Sequence, residues 1–196
     1  EYHVITEITS TRRCGIFRFS WSHPQNQAIV VDVNSDEGKG FIRIIPEKHE
    51  IIAGNPVHRI YNGKGKQAGF SGYIVLQFSC DFEKAGIYKG QQFFEDSLTI
   101  QDQSQIGAAI LLKPGSHLIN YVKIGTSFTS VENARKNLEA EIPDWNFDRV
   151  RGSLEKEWEN LLGRIKVSGG TGDDQKKFYT ALYHSLLHPR LFSDAD

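Results

Sequence analysis

Oxygen-bearing side chains recur at alternate positions in Asp32-Val33-Asn34-Ser35-Asp36-Glu37-Gly38, as they do where a loop wraps a calcium ion. Two positions argue against that chemistry. The glycine stands seventh in the loop instead of sixth, and the twelfth position is Arg43, a cation where a bidentate Glu should close the shell. A polar turn after a strand is the preferred reading, and no metal ligand is assigned in this chain. Asn62-Gly63-Lys64-Gly65-Lys66-Gln67-Ala68-Gly69 has the glycines and lysines of a phosphate cradle, but Phe70-Ser71-Gly72 and a strand follow where the Walker pattern needs Ser or Thr opening a helix. A hairpin loop is the simpler assignment. It leaves Phe70, next to Gly69, as an aromatic that can stack on a sugar face or pack back on the sheet. His184 and His188 share a helix face but lack an intervening Glu and a third ligand, so helix packing is expected of them. There is no Gly-x-Ser-x-Gly elbow, and neither Cys14 nor Cys80 sits in a thiol-enzyme motif. Glycoside hydrolysis needs two carboxylates flanking a scissile bond, and the spacing singles out no such pair. No catalytic residue is assigned.

The elements that would position these groups divide into two kinds. Up to about Phe128 the chain reads as short strands between turns. Tyr2 to Ser10 alternates, and Cys14 to Trp21 puts Phe17, Phe19 and Trp21 on one face and Ile16, Arg18 and Ser20 on the other. Residues 27–33, 41–45, 50–53 and 98–100 continue the style, and residues 72–79 set Ile74, Leu76 and Phe78 against Tyr73, Val75 and Gln77. Lys113-Pro114-Gly115-Ser116 has type II turn chemistry and predicts a hairpin between Ile106 to Leu112 and His117 to Gly125. About ten strands without intervening helices predict an antiparallel β-sandwich.

The period then changes. Ser130 can cap a helix that runs to about Glu141 and ends before Pro143. Phe147, Val150, Leu154, Trp158, Leu161, Leu162 and Ile165 form one apolar stripe, the strongest helical pattern in the chain. After Ser168-Gly169-Gly170, Thr171 with Asp174 three residues on resembles a capping box, opening a third helix to about His188. The fold class is therefore mainly β, a sandwich over residues 1–128 followed by two or three α-helices in residues 129–196.

The 23 basic and 24 acidic residues balance to a net charge of −1, which argues against nucleic acid or an anionic membrane as partner. No apolar run is long enough to span a membrane. Two cysteines permit one disulfide without demanding it, and free thiols are preferred. The chain starts at Glu1, contains no Met and stops on Phe192-Ser193-Asp194-Ala195-Asp196 without a closing signal, so it is expected to be the front of a larger protein.

The run from Asn137 through Ile142-Pro143-Asp144-Trp145-Asn146-Phe147-Asp148, then Trp158, then Phe178-Tyr179-Thr180-Ala181-Leu182-Tyr183-His184-Ser185-Leu186-Leu187 leading to Phe192-Ser193-Asp194, resembles glycoside hydrolase family 92, the exo-acting α-mannosidases. Residues 69–82 and 122–131 fit the family's front domain more loosely. The resemblance implies a sandwich of the galactose-mutarotase supersandwich kind, linker helices, and then an (α/α)6 barrel of which residues 171–196 are the beginning. It implies inverting, calcium-dependent removal of terminal α-mannose, often α-1,2-linked, from glycans outside the cytoplasm. Its catalytic carboxylates and calcium ligands are expected in the barrel, outside this chain. Phe70 matches a family aromatic that follows glycine and is usually Trp. Gly69, Phe70 and Asp194 are accordingly the candidate substrate-binding residues. The partners implied are a mannose-containing glycan and the enzyme's own barrel, or a second copy meeting the exposed helices. Two rival readings stay open: a stand-alone carbohydrate-binding module, and the front domain of a glucoamylase- or disaccharide-phosphorylase-like enzyme.

Overall fold

The computed structural model describes residues 3–33, 38–59, 66–113, 118–187 and 191–195. Its strands are β1 (Val4–Ser10), β2 (Cys14–Trp21), β3 (Ala28–Val33), β4 (Phe41–Ile45), β5 (Glu50–Arg59), β6 (Lys66–Phe78), β7 (Phe82–Lys89), β8 (Gln92–Glu95), β9 (Thr99–Gln101), β10 (Ile106–Leu112) and β11 (Ile119–Ser127). They form a seven-stranded sheet in the order β1-β2-β11-β6-β5-β4-β9 and a four-stranded sheet in the order β3-β10-β7-β8. Every pairing is antiparallel. The chain is thus the mainly β sandwich that the alternating pattern predicts.

The core lies between the sheets. From β10 the alternate residues Ile106, Ala108, Ile110 and Leu112 point inward to meet Ile42, Ile44, Ile51 and Leu76 of the larger sheet. The other face of that larger sheet is covered by helices α1 (Val131–Glu141) and α2 (Phe147–Leu162). There Cys14 and Ile16 pack with Leu138, Ile142, Phe147 and Val150 in a second apolar cluster. β2 therefore serves both layers, with Phe17 and Phe19 partly buried on the main core and Ile16 on the helical side. Gly125 permits the close approach of α1, since a Cβ there would stand 2.3 Å from the Ala134 carbonyl oxygen. Helix α3 (Gly172–Leu186) has no buried residue.

Two expectations need correcting. The hairpin predicted between residues 106–112 and 117–125 does not form: β10 pairs with β3 and β7, whereas β11 pairs with β2 and β6 in the opposite sheet. A short connector can cross between stacked sheets as readily as it reverses within one, and the burial of both apolar faces selects the crossing. Residues 114–117 of that connector lie outside the described residues. Gly69 and Phe70 also lie within a strand instead of a loop, because β5 and β6 continue as a ribbon beyond the bulge between Pro56 and His58. β7 and β8 went unpredicted, their charged and exposed residues masking the alternation that buries Ala85 and Ile87.

Candidate functional site

The site assembles where β11 hands over to α1. The Ser127 hydroxyl accepts hydrogen bonds from the Thr129 N–H at 3.0 Å and the Ser130 N–H at 3.4 Å, and the Ser130 hydroxyl accepts from the Asn133 N–H at 3.0 Å. This hydroxyl-rich joint turns the chain and leaves Phe128 at the surface. Phe70 of β6 meets it edge-on, with ring centroids 5.3 Å apart and planes at 85°. Phe192 lies 5.6 Å from Phe128 on a tilt of 32°. The three rings make a row that stays exposed, Phe70 at 41% and Phe192 at 63%. Beside Phe70, Gly69 has a φ of +91°, and apart from its chain neighbours no residue comes within 4 Å of the position its Cβ would occupy.

Asp194 stands at the end of this row. Its Oδ2 accepts from the hydroxyls of Thr129 at 2.6 Å and Ser127 at 3.1 Å and from Asn133 Nδ2 at 3.2 Å, while Oδ1 accepts from Asn137 Nδ2 at 2.8 Å. Burial pushes its pKa up, but hydrogen bonds from Thr129, Asn137, Ser127 and Asn133 outweigh that and hold it below the ordinary aspartate value. The carboxylate is ionised and its lone pairs are engaged by the protein. A cleft of about 190 Å³ opens between Arg13, Thr126, Phe128, Phe192 and Asp194.

Aromatic faces of this kind offer apolar contact to the C–H face of a sugar ring, and the adjacent Asp194 carboxylate, held by its four donors, keeps negative charge beside them. The structure thus brings Gly69, Phe70 and Asp194 to one end of the sandwich, bridged by Phe128 and Phe192. Sequence reasoning passed over Phe128 as a site residue. Its available signal was an aromatic set among Thr126, Ser127, Thr129 and Ser130 at a strand-to-helix junction.

The other candidates do not join this site. His184 lies on α3 against Tyr183, and His188 is outside the described residues. Residues 34–37 of the calcium-like loop and residues 62–65 of the glycine-rich segment are also outside them. Among the described residues no three His, Cys, Asp or Glu side chains come together as a set of metal ligands, and none of them is assigned to calcium. Both cysteines are free. Burial pushes the Cys14 thiol up to about 12 and the Cys80 thiol up to about 11, so neither is an activated nucleophile.

Residues 1–127 match the glycosyl hydrolase family 92 N-terminal domain, and residues 133–196 match the family 92 catalytic domain. The class is that of the glycoside hydrolases. The chain belongs to family 92. The family GH92 inverting mannosidase BT2199 from Bacteroides thetaiotaomicron has a similar structure, with a TM-score of 0.86 and 28% identity over 98% of this chain and 25% of that one. The family GH92 alpha-mannosidase BT3965 from the same organism gives 0.83 and 25% identity over 98% of this chain and 26% of its own. An uncharacterized secreted glycosidase from Arthroderma benhamiae is 40% identical over 72 residues, 35% of this chain and 9% of the relative. The chain spans about a quarter of the length of the solved relatives.

Proposed function

We propose that this chain is the non-catalytic front portion of a mannosidase that removes terminal α-mannose from glycans, with Phe70, Phe128 and Phe192 forming a wall against which the sugar docks. Family membership sets aside the glucoamylase and phosphorylase alternatives. The observation that carries the docking role is the exposed row of three rings beside the Asp194 carboxylate. Gly69 leaves open space next to Phe70, where a side chain would otherwise stand. The finer chemistry is an expectation drawn from the resemblance: α-1,2 linkage, inversion, and calcium held by residues outside those described. Inversion requires two carboxylates about 6.5–9.5 Å apart with a water between them, and these are assigned to the enzyme's helical barrel. The exposed apolar side of α3, with Tyr183, Leu186 and Leu187, is assigned to contact with that barrel. A concentration-dependent dimer in sedimentation would favour a second copy instead. The similarity to a secreted fungal glycosidase supports an extracytoplasmic location.

Titration calorimetry of the chain with α-1,2-mannobiose tests the wall. Binding at millimolar or tighter affinity, weakened but still measurable in Phe192→Ala and in Phe128→Ala, is expected, and binding untouched by both substitutions sinks the proposal. Release of mannose by these 196 residues alone, at the rate of a full-length enzyme, would overturn the non-catalytic assignment. Glycan binding by the full-length protein without any hydrolysis would favour the binding-module reading.

A further inference from the structure

The position of Phe192 is not explained by its own packing. A ring that remains 63% exposed gains little from burial, and Phe128 is its one ring neighbour among the described residues. The backbone that follows it is held much more firmly. Arg13, on the turn between β1 and β2, donates from Nε to the Ser193 carbonyl at 2.7 Å and from Nη2 to the Asp194 carbonyl at 3.2 Å. Its remaining edge is fixed by Glu141 at the end of α1, with Nη1 to Oε1 at 2.6 Å and the Arg13 N–H to Oε2 at 3.0 Å. Asn137, fully buried on α1, donates to the Thr126 carbonyl and to Asp194 Oδ1, both at 2.8 Å, and accepts the Ala195 N–H at 2.7 Å. Three elements, the β1–β2 turn, β11 and α1, therefore grip residues 193–195.

We propose that Arg13, seconded by Asn137, is a positioning residue for glycan binding: it holds the 193–195 backbone so that Phe192 completes the aromatic wall, without touching the sugar. The inference rests on the sugar-docking reading above. Geometry makes arginine specific here. Its planar fork meets Glu141 with one edge and two successive main-chain carbonyls with the other, which the single ammonium of lysine cannot reproduce. Arg12 on the same turn meets Glu157 at an exposed surface and takes no part in the grip.

The test is a double-mutant cycle on the full chain, read by amide hydrogen exchange and by calorimetry with α-1,2-mannobiose. Arg13→Lys keeps a cation beside Glu141, so the thermal transition checks that the fold survives, and Arg12→Lys serves as the control. Arg13→Lys is expected to quicken exchange at residues 193–195 and to weaken mannobiose binding by about five- to ten-fold, the size of one ordinary hydrogen bond's net contribution passed on through Phe192. In a Phe192→Ala background the same substitution should cost no further affinity, because its effect passes through that ring. Unchanged exchange at 193–195 overturns the proposal, and so does a binding loss that adds in full to that of Phe192→Ala. If the wild-type chain binds no mannoside, the docking reading fails and takes the glycan role of Arg13 with it. The exchange data then decide separately whether Arg13 grips the segment.

Discussion

Helices α1 and α3 are equally well begun and very differently housed. Ser130 caps α1, and Thr171 with Asp174 closes a reciprocal capping box on α3. Yet α1 buries Ala134, Asn137 and Leu138 against the large sheet, whereas α3 buries nothing. Among the described residues its ties to the preceding chain include the Trp158–Tyr183 ring contact at 4.7 Å, a hydrogen bond from the Tyr179 hydroxyl to the Ile165 carbonyl at 3.2 Å and one from Gln175 Nε2 to the Gly169 carbonyl at 3.3 Å. Caps start a helix, and tertiary burial supplies most of its stability. α1 should therefore belong to the cooperative unit of the sandwich, and α3 should open locally.

Substitutions can break or sharpen this contrast. The largest effect is expected from Arg135→Ala on α1. Arg135 pairs with Glu50, which is only 2% exposed, and an uncompensated buried carboxylate should cost about 4 kcal/mol in urea unfolding. A loss below about 1 kcal/mol would mean that α1 is no more essential to the unit than α3. Gly125→Ala, which drives a methyl into the Ala134 carbonyl, should cost about 3 kcal/mol by the same measurement. Thr171→Ala should cost α3 about 1 kcal/mol, seen as faster exchange near residues 172–175 with the sandwich transition unmoved. A shift of the whole transition would show α3 to be coupled after all.

Acid provides a finer probe. The pKa values of Asp194 and Asp174 are both depressed. Asp194 is raised by burial but lowered further by its four donors, and Asp174 is lowered first by the Thr171 N–H and then by its hydroxyl. A carboxylate with a depressed folded pKa contributes stability that is complete above its unfolded value and is lost as pH falls through the folded one. Protection of the amides at residues 194–195 and 171–174, taken relative to the intrinsic exchange rate at each pH, should therefore fall below about pH 4, ahead of that of the sandwich core. The smallest effect is expected from Leu186→Gln on the exposed side of α3, within about 0.5 kcal/mol in thermal unfolding. A large loss there would reveal burial that the chain alone does not show.

The helices and many of the strands were legible because their signals are local. The Ser130 and Thr171 caps lie three residues from the amides they satisfy, and β2, β4 and β10 carry their alternation in a few consecutive residues. The site was legible only in pieces. Phe70 and Asp194 could be picked out one at a time, but the grip between Arg13 and Ser193 joins residues 180 positions apart, and no spacing rule reaches that far. The failed hairpin has the same origin. Lys113-Pro114-Gly115-Ser116 carries turn chemistry, but strand pairing is chosen by which faces become buried.

By itself the sequence determined where the helices begin and where many of the strands lie, that the strand-rich part would fold as an antiparallel sandwich, and which family the chain resembles. The tertiary structure alone decided that β10 and β11 sit in opposite sheets, that α1 is welded to β11 while α3 lies bare, and that Phe70, Phe128 and Phe192 form one surface. The physical reason is range. Backbone hydrogen bonding and side-chain periodicity are settled within a few residues, whereas pairing and exposure depend on apolar area buried across the whole chain.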